Sequence, residues 1–488
     1  MRRALITLFG GMTALLLLAG CSEKGTDTEH SATDTPAAVS FATDGHLKML
    51  YDNRMHPAAI EYEGKIYIAW RGVNGWPQMR TYDLESRMFS ERVNILDGLE
   101  DVFDLDKYTR DQHYNPVIWM SIDGHFQLIA GCHGNRPGNY NDCDKMKTKV
   151  TGDIYGGWEK VESTINISVN YPKVYRIYGD QTLMHFRNTG HLGSWTYRLS
   201  PDGEQGWHGP EQDVVDMSLA ADPAVSCLDF HAGSYHGIRI SKDGKTLHDA
   251  FIGTQQDFRH TDCEAPANKH YGELGDDRRY NLYYVKVDLR TGQVYNYAGK
   301  ELTAPVSRGV ANTDALIYDT DERIFAVVPS IHLDENDQPY FLGEVSDETP
   351  FRGWFTFVYY EDGEWKKTKV ARTSHYFNAA MLDRNRDGDF RALLIVGDGE
   401  AKKDNRHEDI RNLNRYGWGD RVEEWISKDG GATWKLSRDI TPVEGYRYQN
   451  IKRVSTGIGE SSNEIFLFYG WQPDAKPGEA VAFLWDDR

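Results

Sequence analysis

A hairpin that recurs along the chain is the feature that most limits the possible folds. Four segments continue as strand, tight turn and strand, and they start at His56-Pro57, Asn115-Pro116, Tyr171-Pro172 and Tyr235-His236. Weaker copies begin near Asn312, Asn378 and Asn450. The starts lie roughly 60 to 80 residues apart, and a regular period of this kind is typical of a chain built from similar structural units.

Each unit is long enough for a four-stranded sheet with its loops. Short runs of strand composition, separated by Asp-Gly and Asn-Gly turns, predict an all-β protein. Radial repetition of such antiparallel sheets predicts a seven-bladed β-propeller. The last unit ends after three strands at Trp485 to Arg488, so we expect the segment around Gly45 to Tyr51 to supply its outer strand and close the ring.

Two segments carry a turn motif that is common in propellers. Ser427 to Trp434 matches the Asp-box pattern S-x-D-x-G-x-T-W at every position, and Ser241 to Leu247 is a degraded copy. In an Asp-box the Ser and Asp side chains cap turn amides. The motif therefore supports the propeller and says nothing about catalysis.

The segment Asp383 to Asp389 has the first half of a calcium-binding loop. A complete loop carries Glu at its twelfth position, where this chain has Leu394. A polar hairpin turn is therefore the preferred interpretation.

The first residues predict export. A basic start at Met1 to Arg3 precedes an apolar stretch that ends at Leu18-Ala19-Gly20-Cys21, which resembles a bacterial lipobox. We interpret residues 1–21 as a lipoprotein signal peptide ending at a lipidated Cys21, 22–40 as a flexible tether and 41–488 as the propeller. Ser22 after that cysteine favours the outer membrane of a Gram-negative cell. The alternative is a cleaved soluble signal.

The net charge of the chain disfavours some classes of binding partner. Lys plus Arg number 55 against 74 Asp plus Glu, a formal net charge of −19. A field of this sign repels nucleic acid and anionic lipid, so membrane contact is expected only through the lipid anchor. An anionic ligand would need a local basic cleft. We expect a monomer.

Candidate site residues follow from the repeat, because in a propeller the starts of inner strands and the ends of the next strands gather at one mouth. Five side chains hold these positions in units two to four: His113, His133, Tyr171, Arg187 and Tyr235. Each has a structural alternative, since tyrosines pack at strand starts and histidines occur in turns. Arg187 ends an apolar strand, where an unpaired guanidinium is costly, so a carboxylate partner is expected. Arg71 holds the equivalent position in unit one.

A set of His, Tyr and Arg favours removal of a proton beside a carboxylate. The C5 proton of a uronic acid has a very high pKa, and an arginine bound to the carboxylate stabilises the developing charge. His or Tyr then takes the proton, and another group donates to the glycosidic oxygen at C4. This reaction is β-elimination. A glycoside hydrolase would instead need two carboxyl groups across the bond, and none stands at these positions in units two to four.

These residues lead to a resemblance. DQHYNPVIWMSIDGHFQLIAGCHGN, YPKVYRIYGDQTLMHFRNTG and the Asp-box together resemble the BNR-repeat polysaccharide lyases, in particular ulvan lyases with a seven-bladed propeller. The resemblance covers nearly the whole body. It implies His113 and Tyr171 as base and acid, in an order left open, and Arg187 as the carboxylate neutraliser. His133 and Tyr235 would assist.

The resemblance also implies a substrate. Ulvan is a sulfated rhamnose and uronate polymer of green algae, and cleavage between 3-sulfated rhamnose and glucuronate or iduronate would leave an unsaturated uronate end. No organic cofactor is expected. Two alternatives remain: a sialidase-like Asp-box glycoside hydrolase, which needs three clustered arginines, a Tyr nucleophile and a Glu, and a non-catalytic glycan-binding lipoprotein.

Four cysteines remain after Cys21, and they allow three pairings. They are Cys132, Cys143, Cys227 and Cys263. A bridge between Cys132 and Cys143 would close a short loop beside His133 and make it rigid.

A possible structural zinc competes with full pairing. His260, Cys263 and His270 have the spacing of zinc ligands in a long loop after unit four, and the resembling lyases can carry a zinc. No fourth ligand is evident. A disulfide between Cys227 and Cys263 is the alternative.

Overall fold

The structure, a computed structural model, describes residues 38–46, 49–111, 113–133, 143–162, 165, 168–218, 231–256, 264, 267–269, 272–273, 277–325, 328–347, 353–373, 380–397, 418–456, 459–460 and 464–488. The predicted lipidation site Cys21 and the predicted zinc ligands His260, Cys263 and His270 lie outside these residues. Within the described ranges, no helix has the length and apolar character needed to cross a bilayer.

Seven antiparallel sheets form the blades of a β-propeller, as the repeat predicts. The strands of blades 1 to 3 are Ala59–Tyr62, Lys65–Arg71, Pro77–Asp83 and Val93–Asn94; Val117–Met120, Phe126–Ala130, Asp144–Val150 and Asp153–Lys160; and Asn170–Arg176, Thr182–Arg187, Trp195–Ser200 and Val215–Asp216. Short strands extend two of these sheets, with Ser455–Thr456 and Gly459–Glu460 beside blade 1 and Val306–Ser307 beside blade 3.

Blade 4 contains Ala232–Ile240, Thr246–Gln256, Asp277–Asp288, Val294–Asn296 and Glu301–Leu302, with Leu316–Tyr318 paired to its third strand. Blades 5 to 7 contain Ser330–Leu333, Pro339–Ser346, Gly353–Glu361 and Glu364–Thr373; Ala380–Arg384, Phe390–Val396, Arg421–Ser427 and Lys435–Asp439; and Arg447–Arg453, Ile465–Trp471, Ala480–Asp486 and Val39–Gly45. A separate hairpin joins Ala267–Asn268 to Gly272–Glu273. Short helical turns occupy Lys107–Arg110, Tyr178–Asp180, Arg308–Val310 and Ala311–Ala315.

An N-terminal strand closes the ring, as expected, but it lies earlier than the predicted segment. Val39–Gly45 pairs antiparallel with Ala480–Asp486, so that Val39 lies opposite Leu484. The residues Met49 to Tyr51 are instead fully buried in the apolar core shared with blades 1 and 7. Their side chains fill that core, to which the edge strand also contributes Phe41 and Ala42.

The fifth repeat start predicted near Asn312 is wrong. Asn312 lies in the helical turn Ala311–Ala315, and the following strand Leu316–Tyr318 pairs with blade 4. Blade 5 begins only at Ser330–Leu333. The apolar run after Asn312 matched the strand pattern, but the hydrogen bonds of its strand go to the neighbouring sheet.

The second strands of blades 2, 3 and 6 are buried along their whole length, because a blade is covered on both faces by its neighbours. Every residue of Phe126–Ala130, Thr182–Arg187 and Phe390–Val396 is buried. Polar side chains in such strands must be paired or must serve a ligand. This rule applies directly to Arg187.

The Asp-box forms the predicted structural turn. The Ser427 hydroxyl donates to Asp429 Oδ1 at 2.8 Å, and the backbone amide of Thr433 donates to the same oxygen at 2.8 Å. The degraded copy caps its turn in the same way through Ser241 and Asp243.

A third turn of this type was missed in the sequence. Ser200 donates to Asp202 Oδ1 at 2.9 Å, and the Trp207 indole donates to the Glu204 carbonyl at 3.0 Å. Its pattern, S-P-D-G-E-Q-G-W, has Gly in place of Thr before the tryptophan.

The calcium-like segment forms a polar hairpin turn, as preferred from the sequence. The side chain of Asn385 accepts from the amides of Asp387 and Asp389 at 3.1 and 2.9 Å. Asp383 points elsewhere and contacts Arg391 and Arg453.

Candidate active site

Tyr171 lies at a distorted point of the blade 3 inner strand. The register with the second strand shifts between Asn170 and Lys173, and Tyr171 has φ = 54°. A left-handed conformation is costly for an aromatic residue, and strain of this kind concentrates at functional sites. The bulge brings the fully buried Tyr171 ring against the site histidines.

Asp111 joins the two predicted histidines. Its Oδ1 is 2.7 Å from His113 Nδ1, and its Oδ2 is 2.6 Å from His133 Nδ1. The two imidazoles are 4.0 Å apart between ring centroids, and the Tyr171 ring lies 5.7 Å from His113 and 5.1 Å from His133. The structure therefore brings His113, His133 and Tyr171 together, as predicted.

The protonation states of this cluster follow from burial and pairing. Burial alone would raise the pKa of Asp111, but the adjacent His133 and His113 hold it well below its usual range. Burial lowers the pKa of His113 to about 3 and also lowers the pKa of His133. Because an ionised carboxylate only accepts hydrogen bonds, both Nδ1 atoms donate to Asp111. Both Nε2 atoms then carry the lone pair, and that of His133 has no partner among the described residues.

Arg187 is fully buried and only partly satisfied. Its Nη1 donates to the His191 carbonyl at 3.2 Å, while Nε and Nη2 have no partner in the part of the chain that the structure describes. The guanidinium carbon lies 4.8 Å from the Tyr171 ring centroid and 5.5 Å from that of Tyr235. A carboxylate that accepts from Nε and Nη2 would complete its hydrogen bonds.

Tyr235 has a different electrostatic environment from Tyr171. Burial alone would raise its pKa, but Arg187 and Arg279 outweigh burial and lower the pKa of Tyr235 to about 7. The Arg279 guanidinium lies 4.9 Å from the Tyr235 ring centroid. Burial raises the pKa of Tyr171 well above its usual range, although Arg54 and Arg187 act in the opposite direction. Near neutral pH Tyr171 therefore keeps its proton, and Tyr235 is divided between phenol and phenolate.

Arg54 and Asp52 form a buried pair beside Tyr171. Arg54 Nη2 is 2.6 Å from Asp52 Oδ2, and Arg54 Nε donates to Asp52 Oδ1 at 2.9 Å. Arg54 Nη1 donates to the Tyr171 hydroxyl oxygen at 3.3 Å. Arg54 therefore fixes that hydroxyl and stabilises negative charge on it.

Sequence reasoning missed Asp52, Arg54, Asp111 and Arg279. Three of them carried a readable signal, because the segments D-N-R-M-H-P from Asp52 and D-Q-H-Y-N-P from Asp111 align. Arg54 thus holds in unit one the position that His113 holds in unit two. Arg279 lies in the third strand of blade 4, where the repeat marks no functional position.

The remaining predictions near the site have different outcomes. A disulfide joins Cys132 to Cys143 beside His133, as expected for that pair. Arg71 serves the structure, since it donates to the carbonyls of Gly75 and Tyr108.

Among the described residues, two groups of side chains have the composition of a metal site. Asp111, His113 and His133 form one, and His185, His236 and Asp249 form the other, below the site between blades 3 and 4. In both groups the carboxylate already pairs with imidazole nitrogens, which accounts for the arrangement without an ion. The carboxylates beside Tyr171, Asp52 and Asp111, are likewise paired, so they do not form the facing pair that hydrolysis requires.

Known proteins resemble the chain in sequence and fold. An ulvan lyase of polysaccharide lyase family 25 from Pseudoalteromonas sp. (strain PLSV) is 20% identical over 336 residues, which are 67% of this chain and 65% of that protein, slightly under two thirds. A solved structure of a family 25 ulvan lyase superposes with a TM-score of 0.69 at 18% identity and covers 92% of this chain and 96% of that one. A second, bound to -[GlcA(1-4)Rha3S]-, gives 0.68 at 18% identity with the same coverage. At these identities the structures establish the shared propeller fold.

A family model gives the broader assignment. The model described as a BNR repeat-containing family member matches residues 65–373. That match runs from the second strand of blade 1 to the last strand of blade 5 and includes all five predicted site residues. It covers more than half of the 488 residues. The chain therefore belongs to the BNR repeat-containing family.

Proposed function

We infer that this protein is a polysaccharide lyase that cleaves a uronate-containing glycan by β-elimination. The observation that carries the inference is the fully buried Arg187, whose Nε and Nη2 have no partner among the described residues, beside Tyr171 and Tyr235. A buried guanidinium in this state fits a ligand carboxylate. The similarity to ulvan lyases supports the same reaction.

The geometry supports a division of roles between His113 and Tyr171. Asp111 holds the His113 tautomer that has its lone pair on Nε2, so this nitrogen can accept the C5 proton, and Asp111 stabilises the imidazolium that results. Tyr171 is protonated and can donate to the leaving oxygen, after which Arg54 stabilises its phenolate.

The electron pair of the C5–H bond forms the C4–C5 double bond while the C4–O4 bond breaks. Arg187 neutralises the uronate carboxylate and so lowers the energy of the transition state, in which negative charge develops on that group. The imidazolium of His113 then returns its proton to the Tyr171 phenolate, and the site is restored. Tyr235 and His133 bind the sugar and shape the field around it.

Ulvan is the proposed substrate, cleaved between 3-sulfated rhamnose and glucuronate or iduronate. The solved relative bound to -[GlcA(1-4)Rha3S]- supports this choice. The net charge of −19 disfavours an anionic polymer in general, and the cationic groups around Tyr235 supply the local exception.

A sialidase-like hydrolase is the second candidate, because three arginines surround the two tyrosines. Arg54, Arg187 and Arg279 each lie within cation–π distance of Tyr171 or Tyr235. Arg54 is, however, already neutralised by Asp52. The charged groups that act most strongly on Tyr235 are cationic, and no carboxylate is among them.

The deciding experiment is to mix the protein with ulvan, with unsulfated uronate glycans and with a sialoglycan. The expected product is a conjugated unsaturated uronate, detected by its ultraviolet absorbance and by a mass equal to that of the cleaved fragment without added water. Release of saturated sugar would contradict the lyase and favour the hydrolase. Binding of ulvan without any cleavage would favour a glycan-binding lipoprotein.

Two further parts of the proposal concern residues outside the described ranges. Lipidation of Cys21 would anchor the protein to the outer membrane, and detergent-phase partition that is lost in Cys21→Ala tests it. A structural zinc on His260, Cys263 and His270 would give about one zinc per chain by elemental analysis. A Cys227–Cys263 disulfide found by mass spectrometry would contradict the zinc.

A further inference from the structure

A cavity lies in the centre of the propeller, further along the inner strands than the site tyrosines. The inner strands of blades 3 to 7 and the segment before blade 1 line it, and it measures about 620 Å³ including the part open to solvent. Tyr171 and Tyr235 lie near the starts of two of these strands. Lys173 and Arg239 follow two and four residues later and line the cavity.

The lining of the cavity is strongly cationic. Lys173, Arg239, Lys452 and Arg453 all contribute to it, and no aspartate or glutamate is among its described lining residues. This concentration of positive charge stands in a chain whose net charge is −19. The same cations act on one imidazole: burial, and then Lys452, Arg239 and Lys173, hold the pKa of His56 well below its usual range.

Protein groups compensate these cations unequally. Arg453 Nη1 lies 2.6 Å from Asp383 Oδ1, but Asp383 is shared with Arg391. Lys452 donates to the carbonyl oxygen of Met55, a neutral acceptor.

Lys173 has no hydrogen bond to its charged group among the described residues. It is 2% exposed, and its Nζ lies 4.6 Å from the Trp195 ring centroid. Asp249 attracts it electrostatically, but both oxygens of Asp249 lie 2.8 Å from His236 Nδ1. Burial, together with the repulsion of Lys452, lowers the pKa of Lys173 to about 7. An uncompensated buried ammonium is costly, and an anion that bonds to it removes that cost.

We propose that this central cavity is a binding site for a small tetrahedral oxyanion, sulfate or phosphate, held by Lys173 with Lys452 and Arg239. The anion neutralises the cationic side chains on the inner strands of blades 3, 4 and 7, and by binding all three it links these strands. The site is independent of the lyase reaction, because Arg187, His113 and His133 do not line it.

Equilibrium dialysis of the full chain against labelled sulfate tests the site directly, with ionic strength held constant by sodium chloride. We expect saturable binding of one sulfate per chain in the cavity, and competition by unlabelled phosphate. Because Arg187 is also an unsatisfied cation, binding is repeated with Arg187→Ala and with free glucuronate as competitor. Sulfate binding that survives in Arg187→Ala supports the cavity. Absence of saturable binding in the wild type, or its loss in Arg187→Ala, overturns the proposal.

Variants of the cavity lysine sharpen the result. Lys173→Met should weaken sulfate binding by about tenfold or more, since it removes a charge-assisted hydrogen bond. The matched control is Lys242→Met, an exposed lysine in the turn between the first two strands of blade 4, which should bind as the wild type does. Without sulfate, Lys173→Met should keep or raise the melting temperature, because the uncompensated ammonium is gone. Should it fail to fold, Lys173→Gln replaces it. Unchanged sulfate binding in the folded variant contradicts the proposed ligand set.

Discussion

Two fully buried arginines in equivalent second strands have opposite surroundings. Arg391, in blade 6, lies 3.1 Å from Asp383 Oδ2 and 3.2 Å from Asp487 Oδ2. Arg187, in blade 3, bonds directly only to the His191 carbonyl among the described residues. Carboxylates of the protein neutralise the first charge, whereas the second has no carboxylate bonded to it among the described residues. Burial is therefore the same for the two arginines, and what differs is whether a carboxylate of the protein neutralises the guanidinium.

Arg391 belongs to a junction network between blades 6 and 7, formed by Asp383, Arg391, Glu424, Arg438 and Asp487. Arg438 binds Glu424 through two bonds of 2.8 and 2.7 Å and Asp487 through two bonds of 2.7 Å. Asp487 follows the last strand of the chain, so the network fixes the end of the propeller against its neighbour. In this network each arginine forms ion pairs with carboxylates. At the mouth of blades 2 to 4, by contrast, two donors of Arg187 have no partner among the described residues.

The largest effects are expected in catalysis at the mouth. His113→Ala and Tyr171→Phe should each lower kcat about 10²- to 10⁴-fold on ulvan and change KM little, because each residue acts in a proton transfer. The melting temperature should change far less than the rate. Initial rates from the ultraviolet absorbance of the product measure both parameters. A variant that alters only KM would assign its residue to binding.

A mutation in the junction network should lower the stability of the protein rather than its activity. Arg391→Met removes one of the two arginines that bind each of Asp383 and Asp487, while Arg453 and Arg438 remain, so we expect a loss of about 1.5–3 kcal/mol in the free energy of unfolding. Denaturant titration measures it. Activity per folded molecule should stay near that of the wild type. The control is Arg372→Met, whose exposed pair with Asp347 should contribute at most about 1 kcal/mol. Equal losses of unfolding free energy in Arg391→Met and Arg372→Met would contradict a special role of the buried network in stability.

Arg187→Ala should lower activity and leave stability nearly unchanged, the opposite of Arg391→Met. We expect kcat/KM to fall about 10²- to 10³-fold, which corresponds to about 3–4 kcal/mol in the barrier. Stability should be unchanged or higher, because two unsatisfied buried donors are removed. Arg187→Lys keeps the charge but loses bidentate binding, and it should recover only part of the activity. Near wild-type activity in Arg187→Ala would refute the lyase mechanism described above.

The propeller could be predicted because a hairpin pattern recurs along the sequence at a nearly regular spacing. Turn signals and apolar runs recur in six of seven units, and they identify the blades even where strand ends shift, as at Val39–Gly45. The failure near Asn312 has a physical cause. Strand composition records that a segment suits a pleated surface, whereas the choice of partner sheet depends on loop paths that local sequence does not encode.

The site was predictable to the extent that the repeat aligned it. His113, His133, Tyr171, Arg187 and Tyr235 occupy equivalent positions, and the structure brings them together. Charges that act on them from other positions were not visible: Arg279 comes from a third strand, and its effect on Tyr235 depends on a distance of 4.9 Å. The division of Tyr171 and Tyr235 into a protonated and a partly ionised group likewise arises only in three dimensions.

That division gives the smallest and most specific expected effect, the pH dependence of binding. Below pH about 7 Tyr235 is neutral, and Arg187 is available to the uronate carboxylate. Above it the phenolate competes for the same guanidinium, so kcat/KM should fall about 3- to 10-fold across the transition, the change expected for one partly screened charge. In Tyr235→Phe the fall should disappear. Tyr171 does not contribute to the transition, because burial raises its pKa well above this range. If kcat/KM instead rises as Tyr235 ionises, its phenolate is the base, and His113 loses that role.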